Sequence, residues 1–109
     1  MTEIGAGFAA PRNVSDAVAI VTVRTDVPGI EVNVRTGPHQ GDQAFGTLHA
    51  GDQRQAYCWT IGDNVGPLWG TTHDVWIAIV PEHSPGYDVG WVWAGVLKGD
   101  KYAGVPDQC

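Results

Sequence analysis

The stretch Ile30-Glu-Val-Asn-Val-Arg-Thr-Gly-Pro38 decides the fold. Apolar and polar residues alternate along it, which is the pattern of a strand with one side in the core. Val32 and Val34 then point to one side, and Asn33 and Arg35 point to the other. The Gly-Pro pair at its end indicates a turn. We therefore expect a half-buried strand that runs directly into a turn.

The rest of the chain also shows the pattern of short strands joined by turns. With 15 Gly and 7 Pro among 109 residues, and many Val, Thr and Trp, the composition favours strands over helices. The predicted strands cover residues 18–25, 30–35, 46–48, 53–61, 74–80 and 89–93, and long loops are predicted at 36–46 and 62–73. Five to six short strands without a convincing helix indicate an all-β fold, either a small barrel or a sandwich.

The length of the chain fits one domain, which we place at residues 17–109. Residues 1–16 show no periodicity and are interpreted as an N-terminal arm. Its apolar side chains, such as Ile4 and Phe8, would gain little in water, so we expect the arm to pack on the barrel or on an assembly neighbour. The tail from Lys98 to Cys109 has no apolar density to hold it.

Charge and hydropathy exclude several classes of function. The net charge is −6 and the six basic residues are scattered along the sequence, which argues against binding to nucleic acid. No apolar run approaches the roughly 20 residues of a membrane span. The N-terminal segment lacks the basic and apolar regions of a secretory signal peptide. A soluble, acidic protein is expected.

The two cysteines, Cys58 and the terminal Cys109, bear on location. Their even number and the place of the second favour a disulfide that pins the tail. The alternative is a pair of unrelated thiols in a reducing cytoplasm. A disulfide would indicate that the protein is extracellular or virion-associated. It would come to such a location by export or by release through cell lysis.

Three blocks of sequence follow one another in a characteristic order: Val32 to Pro38, the Gly46-Thr-Leu48 strand with the Gly51-Asp52 turn, and Gly90-Trp-Val92 followed by Leu97. Together they resemble one family, the bacterial SH3-like (SH3b) domains, and Trp76 takes the place of that family's strand tryptophan. Cys58-Trp59-Thr60 and the final Pro106 to Cys109 are similar to an actinobacterial secreted form. The resemblance implies an SH3-like barrel, a Cys58–Cys109 disulfide and recognition of cell-wall peptide.

Five tryptophans are the most prominent feature of the composition. Trp76 stands among apolar neighbours in a strand and is predicted to be core. We predict that the other candidates, Trp59, Trp69, Trp93 and Tyr87, line a groove that holds peptide or glycan by stacking. The alternative is that the long loops or a partner subunit bury them.

Asn33 and Arg35 have two interpretations. The favoured one is scaffolding, in which Arg35 donates to loop carbonyls and Asn33 caps the turn; the other is contact with ligand at the end of the groove. The four histidines, His39, His49, His73 and His83, have no metal-ligand spacing, so neither a metal site nor a cofactor is predicted.

Two functions remain open at this level. The first is a non-catalytic binding module for bacterial cell-wall (peptidoglycan) or another extended peptide. The second is a structural or decoration subunit of a larger assembly such as a phage particle. Because no set of catalytic side chains can be named, we do not expect an enzyme.

Overall fold

The computed structural model describes residues 17–81 and 86–109, and these form an all-β fold, as predicted. The strands are β1 (Ala19–Thr22), β2 (Glu31–Arg35), β3 (Ala44–His49), β4 (Gln53–Leu68), β5 (Thr71–Ile79) and β6 (Gly90–Trp93), and a single 3-10 turn, Ala94–Val96, follows β6. The predicted arm, residues 1–16, lies outside the described residues. The described part contains no helix long and apolar enough to cross a membrane.

All six strands belong to one antiparallel sheet with the order β1-β4-β5-β6-β2-β3, which curls into a half-barrel. The chain after the 3-10 turn returns to β1. There Val23 forms a bridge with Leu97, and the amide of Lys98 donates to the carbonyl of Thr22 at 2.9 Å. These bonds bring the end of β1 beside residues 96–98.

The stretch from Ile30 to Arg35 has the structure that its alternation of apolar and polar residues predicts. Val32 and Val34 of β2 are buried, while Glu31 and Asn33 are exposed. Ile30, just before the strand, is also buried. Burying such side chains contributes about 1.5–3 kcal/mol each relative to leaving them in water.

β6 and the second half of β5, from Val75 to Ile79, are buried on both faces. Trp76, predicted to be core, is 2% exposed, and its neighbours Ile77 and Ile79 are fully buried. In β6, Trp91 and Trp93 have the same parity and both are buried, as is Val92 between them. The face that carries both tryptophans is therefore covered.

The prediction of a loop at residues 62–73 is wrong. β4 continues to Leu68 and β5 begins at Thr71, so this segment is the far end of a long hairpin. Register shifts on both sides of Val65 accommodate the Gly- and Pro-rich sequence without ending the pairing. The Gly and Pro residues of this segment predict a loop, but in the structure they form irregularities in the pairing of β4 with β5.

The tail is better packed than its sequence suggests. Ala103 and Val105 are buried in the core, which corrects the prediction that the tail lacks apolar anchors. Near the end, the amide of Trp59 donates to the carbonyl of Asp107 at 2.9 Å, and the amide of Cys109 donates to the carbonyl of Trp59 at 2.8 Å. The tail thus adds a short parallel bridge to β4.

The structure confirms a disulfide between Cys58 and Cys109, which are 51 residues apart. Cys58 is buried within β4, and Cys109 is exposed at the end of the chain. The bond holds the bridged tail against β4. Such bonds persist in oxidising compartments and are rare in a reducing cytoplasm.

Candidate functional site: an aromatic groove at the hairpin tip

The tip of the β4–β5 hairpin is a two-residue turn formed by Trp69 and Gly70. Both residues have positive φ, 51° and 77°, as a type I′ turn requires. Glycine adopts this conformation freely, whereas tryptophan pays a steric penalty of about 1–2 kcal/mol. The turn therefore holds a large aromatic side chain at a position where Asn or Gly would be the ordinary residue.

This aromatic groove is a notch of about 120 Å³ between the hairpin, β2 and the 3-10 turn. Its apolar lining comes from Val65, Leu68, Trp69, Trp76, Trp93 and Val96, and its polar rim consists of Glu31, Asn33, Arg35 and Gln40. Val32 completes the lining. A shallow apolar floor with polar groups along one edge is the arrangement that peptide-binding grooves use.

Two tryptophans of the groove are fixed by hydrogen bonds as well as by packing. Trp76 and Trp93 are directly paired across β5 and β6. The indole N–H of Trp76 donates to the carbonyl of Asp63, and that of Trp93 donates to the carbonyl of His73, both at 2.9 Å. Since neither polar end is left unsatisfied, both rings are held in one orientation.

The polar rim is anchored to the loop that follows β2. The guanidinium of Arg35 donates to the carbonyl of Asp42 at 3.0 Å, which is the loop contact expected of it. The backbone N–H of Gln40 donates to the carboxylate of Asp63 at 3.0 Å, so the loop is also joined to the hairpin. Gly62 permits this close approach, because a Cβ there would overlap the carbonyl oxygen of Pro38.

The structure brings together four of the six residues predicted for ligand binding: Asn33, Arg35, Trp69 and Trp93 all line the groove. Trp93 is almost fully buried, so it contributes the floor rather than an exposed wall. Trp69 is partly buried and forms the tip.

Trp59 and Tyr87 lie outside the groove. The Trp59 ring packs on Tyr102 of the tail with ring centroids 4.3 Å apart. Tyr87, which is 37% exposed, stacks on Phe45 with ring centroids 4.0 Å apart and an angle of 9° between the rings. Each of these two aromatics therefore has a partner elsewhere on the barrel.

Sequence reasoning missed several groove residues. The sequence predicts Trp76 to be core alone, although its ring reaches both the core and the groove. It predicts a loop for Val65 and Leu68, whereas the structure places both on the β4–β5 hairpin. No local signal marks these two residues, because Gly62, Gly66 and Pro67 interrupt the alternation of β4 and its pairing with β5 shifts on both sides of Val65.

The ring of His73 lies next to that of Trp93. The two rings are 5.2 Å apart, and the amide of Val75 donates to Nδ1 of His73 at 3.3 Å. Burial lowers the pKa of His73 below its usual value, and the positive charge of Lys101 lowers it further, against a smaller opposing effect of Asp74. Because Nδ1 accepts a hydrogen bond, the proton of the neutral ring is on Nε2.

Within residues 17–81 and 86–109, no three His, Cys, Asp or Glu side chains come together in a way that could hold a metal ion. His39 instead contacts the carboxylate of Asp42 at 2.8 Å, and His49 is 3.6 Å from the carboxylate of Glu31. His83 lies outside the described residues.

Comparison of the chain with protein-family models, with curated proteins and with solved structures gives no match.

Proposed function

We propose that this protein is a non-catalytic binding module whose aromatic groove holds an extended peptide. The observation that carries the proposal is the meeting of Trp69, Trp76 and Trp93 beneath a polar edge formed by Asn33 and Arg35. Rigid aromatic rings supply contact area at low cost in conformational entropy.

The size and chemistry of the groove favour a peptide over a compact small molecule. Pockets for drug-sized ligands usually enclose about 300–1,000 Å³, well above the 120 Å³ of this notch. A notch of this size accommodates one side chain of a chain that continues past it on both sides. The amide of Asn33 and the carboxylate of Glu31 stand on the rim, where they could bond the ligand's main chain.

Two further features point to a bacterial cell-wall peptide as the ligand. The sequence resembles SH3b domains in the Val32–Pro38 stretch, which contributes Asn33 and Arg35 to the rim. The Cys58–Cys109 disulfide also supports a location outside a reducing cytoplasm, extracellular or virion-associated.

The substitution Trp69→Asn tests the proposal because it separates folding from binding. Asparagine is a preferred residue at the first central position of a type I′ turn, so relief of backbone strain should offset part of the packing lost with the partly buried ring, and the variant should still fold. It removes the aromatic tip, and loss of an aromatic anchor typically costs about 2 kcal/mol of binding free energy, or about thirtyfold in Kd. The measurement is co-sedimentation with purified peptidoglycan, together with thermal unfolding.

Tyr87→Ala is the matched control, because it removes an exposed aromatic residue that does not line the groove. It should sediment with peptidoglycan as the wild type does. If W69N binds as well as the wild type, the groove is not the binding surface. If the wild type does not sediment above an acidic control protein, the cell-wall ligand is wrong, and a library of extended peptides then tests the groove itself.

A further inference from the structure

A second, larger cleft lies beside the hairpin tip. It encloses about 680 Å³, which is within the range of natural ligand sites. It is formed by the end of β1, the start of β5 and the turn that follows residue 97; its polar side chains belong to Arg24, Thr25, Asp26, Thr71, Thr72, His73, Lys98, Asp100 and Lys101. We call it the basic cleft.

The fold gathers basic residues here that the sequence scatters. Of the five lysines and arginines in the described residues, three line this cleft: Arg24, Lys98 and Lys101. The cause is the return of the chain to β1, where Lys98 donates its amide to the carbonyl of Thr22. With the carboxylates of Asp26 and Asp100 also in the lining, the three cations leave the cleft with a net charge of +1, in a chain whose net charge is −6.

The two carboxylates of the cleft already have partners. Both oxygens of Asp26 accept from the guanidinium of Arg24, at 2.9 and 2.8 Å. This hydrogen-bonded pair raises the pKa of Arg24 and lowers the pKa of Asp26. One oxygen of Asp100 accepts from the amides of Tyr102 and Gly104, at 3.0 and 3.2 Å.

The guanidinium of Arg24 is also occupied. Its remaining nitrogen donates to the carbonyl of Gly95 at 3.1 Å and, more weakly, to that of Trp69 at 3.5 Å. Arg24 is thus a structural tie between β1, the 3-10 turn and the hairpin tip. Lys98 and Lys101 are the other cations of the lining, and the ammonium group of Lys101 lies 6.0 Å from the centroid of the Tyr102 ring.

Lys98 and Lys101 form no ion pair within 4.0 Å with any carboxylate of the described residues. Nearby stand the hydroxyls of Thr71 and Thr72 and the neutral ring of His73, whose proton is on Nε2. Ammonium groups, hydroxyls and an imidazole N–H are all hydrogen-bond donors. The cleft therefore offers several donors to a ligand, although the threonine hydroxyls can also accept and the second oxygen of Asp100 lies in the same lining.

We propose that the basic cleft binds an oxyanion, a carboxylate or phosphate group of a ligand, through Lys98 and Lys101. Charge-assisted hydrogen bonds from ammonium groups are the strong contacts in such a site. The threonine hydroxyls complete the coordination of the oxyanion. This binding site is separate from the aromatic groove, and its occupation does not depend on a peptide in the groove.

The test is a titration of the ¹⁵N-labelled protein followed by NMR, with inorganic phosphate and acetate as separate probes at constant ionic strength. Saturable shifts are expected at the amides of Thr71, Thr72 and residues 98–101. Binding of either probe supports the oxyanion site, and the tighter of the two identifies the group as phosphate or carboxylate. Absence of a saturable shift with both probes overturns the proposal.

Variants show whether the lysines are responsible. The double substitution K98Q/K101Q should weaken binding about tenfold or more, since it removes both charge-assisted donors. Arg54→Gln is the control, because Arg54 is a basic residue of β4 that does not line the cleft, and its removal should change Kd less than about twofold once salt screens distant charges. Lys98 and Lys101 are exposed and Arg54 is partly exposed, so these substitutions should not disturb folding. Thermal unfolding of each variant checks this. Equal weakening in R54Q and in K98Q/K101Q, or unchanged binding in the double variant, refutes the proposal.

Discussion

Removal of the disulfide should cost this domain a large part of its stability. Cross-linking residues 51 positions apart lowers the entropy of the unfolded chain, and the chain-entropy relation converts this to about 4 kcal/mol at 25 °C. A domain of this size is stable by about 5–15 kcal/mol in total. The suitable variant is Cys109→Ala, because Cys109 is exposed and its side chain contributes little packing.

Urea unfolding followed by tryptophan fluorescence measures the effect. With an m-value of about 2 kcal/mol/M, a loss of 4 kcal/mol lowers the midpoint by about 2 M. The m-value itself should rise, because the unfolded chain without the bond is more expanded and exposes more surface. The wild type in the presence of a reducing agent should give the same values as C109A.

Val105→Ala is the control that keeps the bond and weakens only the packing of the tail. Val105 is buried, and the loss of its methyl groups should cost about 2 kcal/mol with no change in m. If C109A loses less than about 1 kcal/mol at an unchanged m-value, the bond does not constrain the unfolded chain, and the hydrogen bonds between the tail and Trp59 hold the tail by themselves.

Two further predictions concern the floor of the groove and the pH dependence of stability. Gly95→Ala places a Cβ against the ring of Trp93, so it should cost about 1–3 kcal/mol of stability and weaken peptide binding. Gly41→Ala is the control, because Gly41 has open space around it and the variant should stay within about 0.5 kcal/mol of the wild type. Similar melting temperatures for the two variants would contradict this prediction. Burial lowers the pKa of His73, so below about pH 6.5 the unfolded chain takes up a proton that the folded chain does not, and stability should fall as the pH is lowered through about 6.5. His73→Gln should lose less stability over that interval in thermal unfolding, and an identical loss in both proteins would show that other groups cause it.

Part of the fold was predictable because one face of a strand such as β2 meets water. The alternation in β2 placed Val32 and Val34 in the core, and the structure agrees. Alternation carries less information in β6 and the second half of β5, since both faces are buried there. The hairpin end at residues 62–73 was not predictable from turn residues, because Gly and Pro can produce either a loop or an irregular ladder.

The site was predictable only in part, for a related reason. Residues on one strand share a face by parity, so Asn33 and Arg35 could be placed together from the sequence. Whether Trp69 meets them depends on the register of a hairpin more than 30 residues away, and no local pattern specifies that register. The same limit applies to the basic cleft, since only the return of Lys98 to Thr22 brings it beside Arg24.

Trp69 contributes to both surfaces through different atoms. Its side chain lines the aromatic groove, and its carbonyl accepts a hydrogen bond from Arg24, which lines the basic cleft. Substitution of Arg24 would release this contact and its bond to Gly95 together, so it would disturb both surfaces and distinguish neither. W69N keeps the backbone of the turn and removes only the groove's ring, while K98Q/K101Q leaves Arg24 in place. These two variants therefore separate the two proposed binding surfaces, since each should impair one ligand and spare the other.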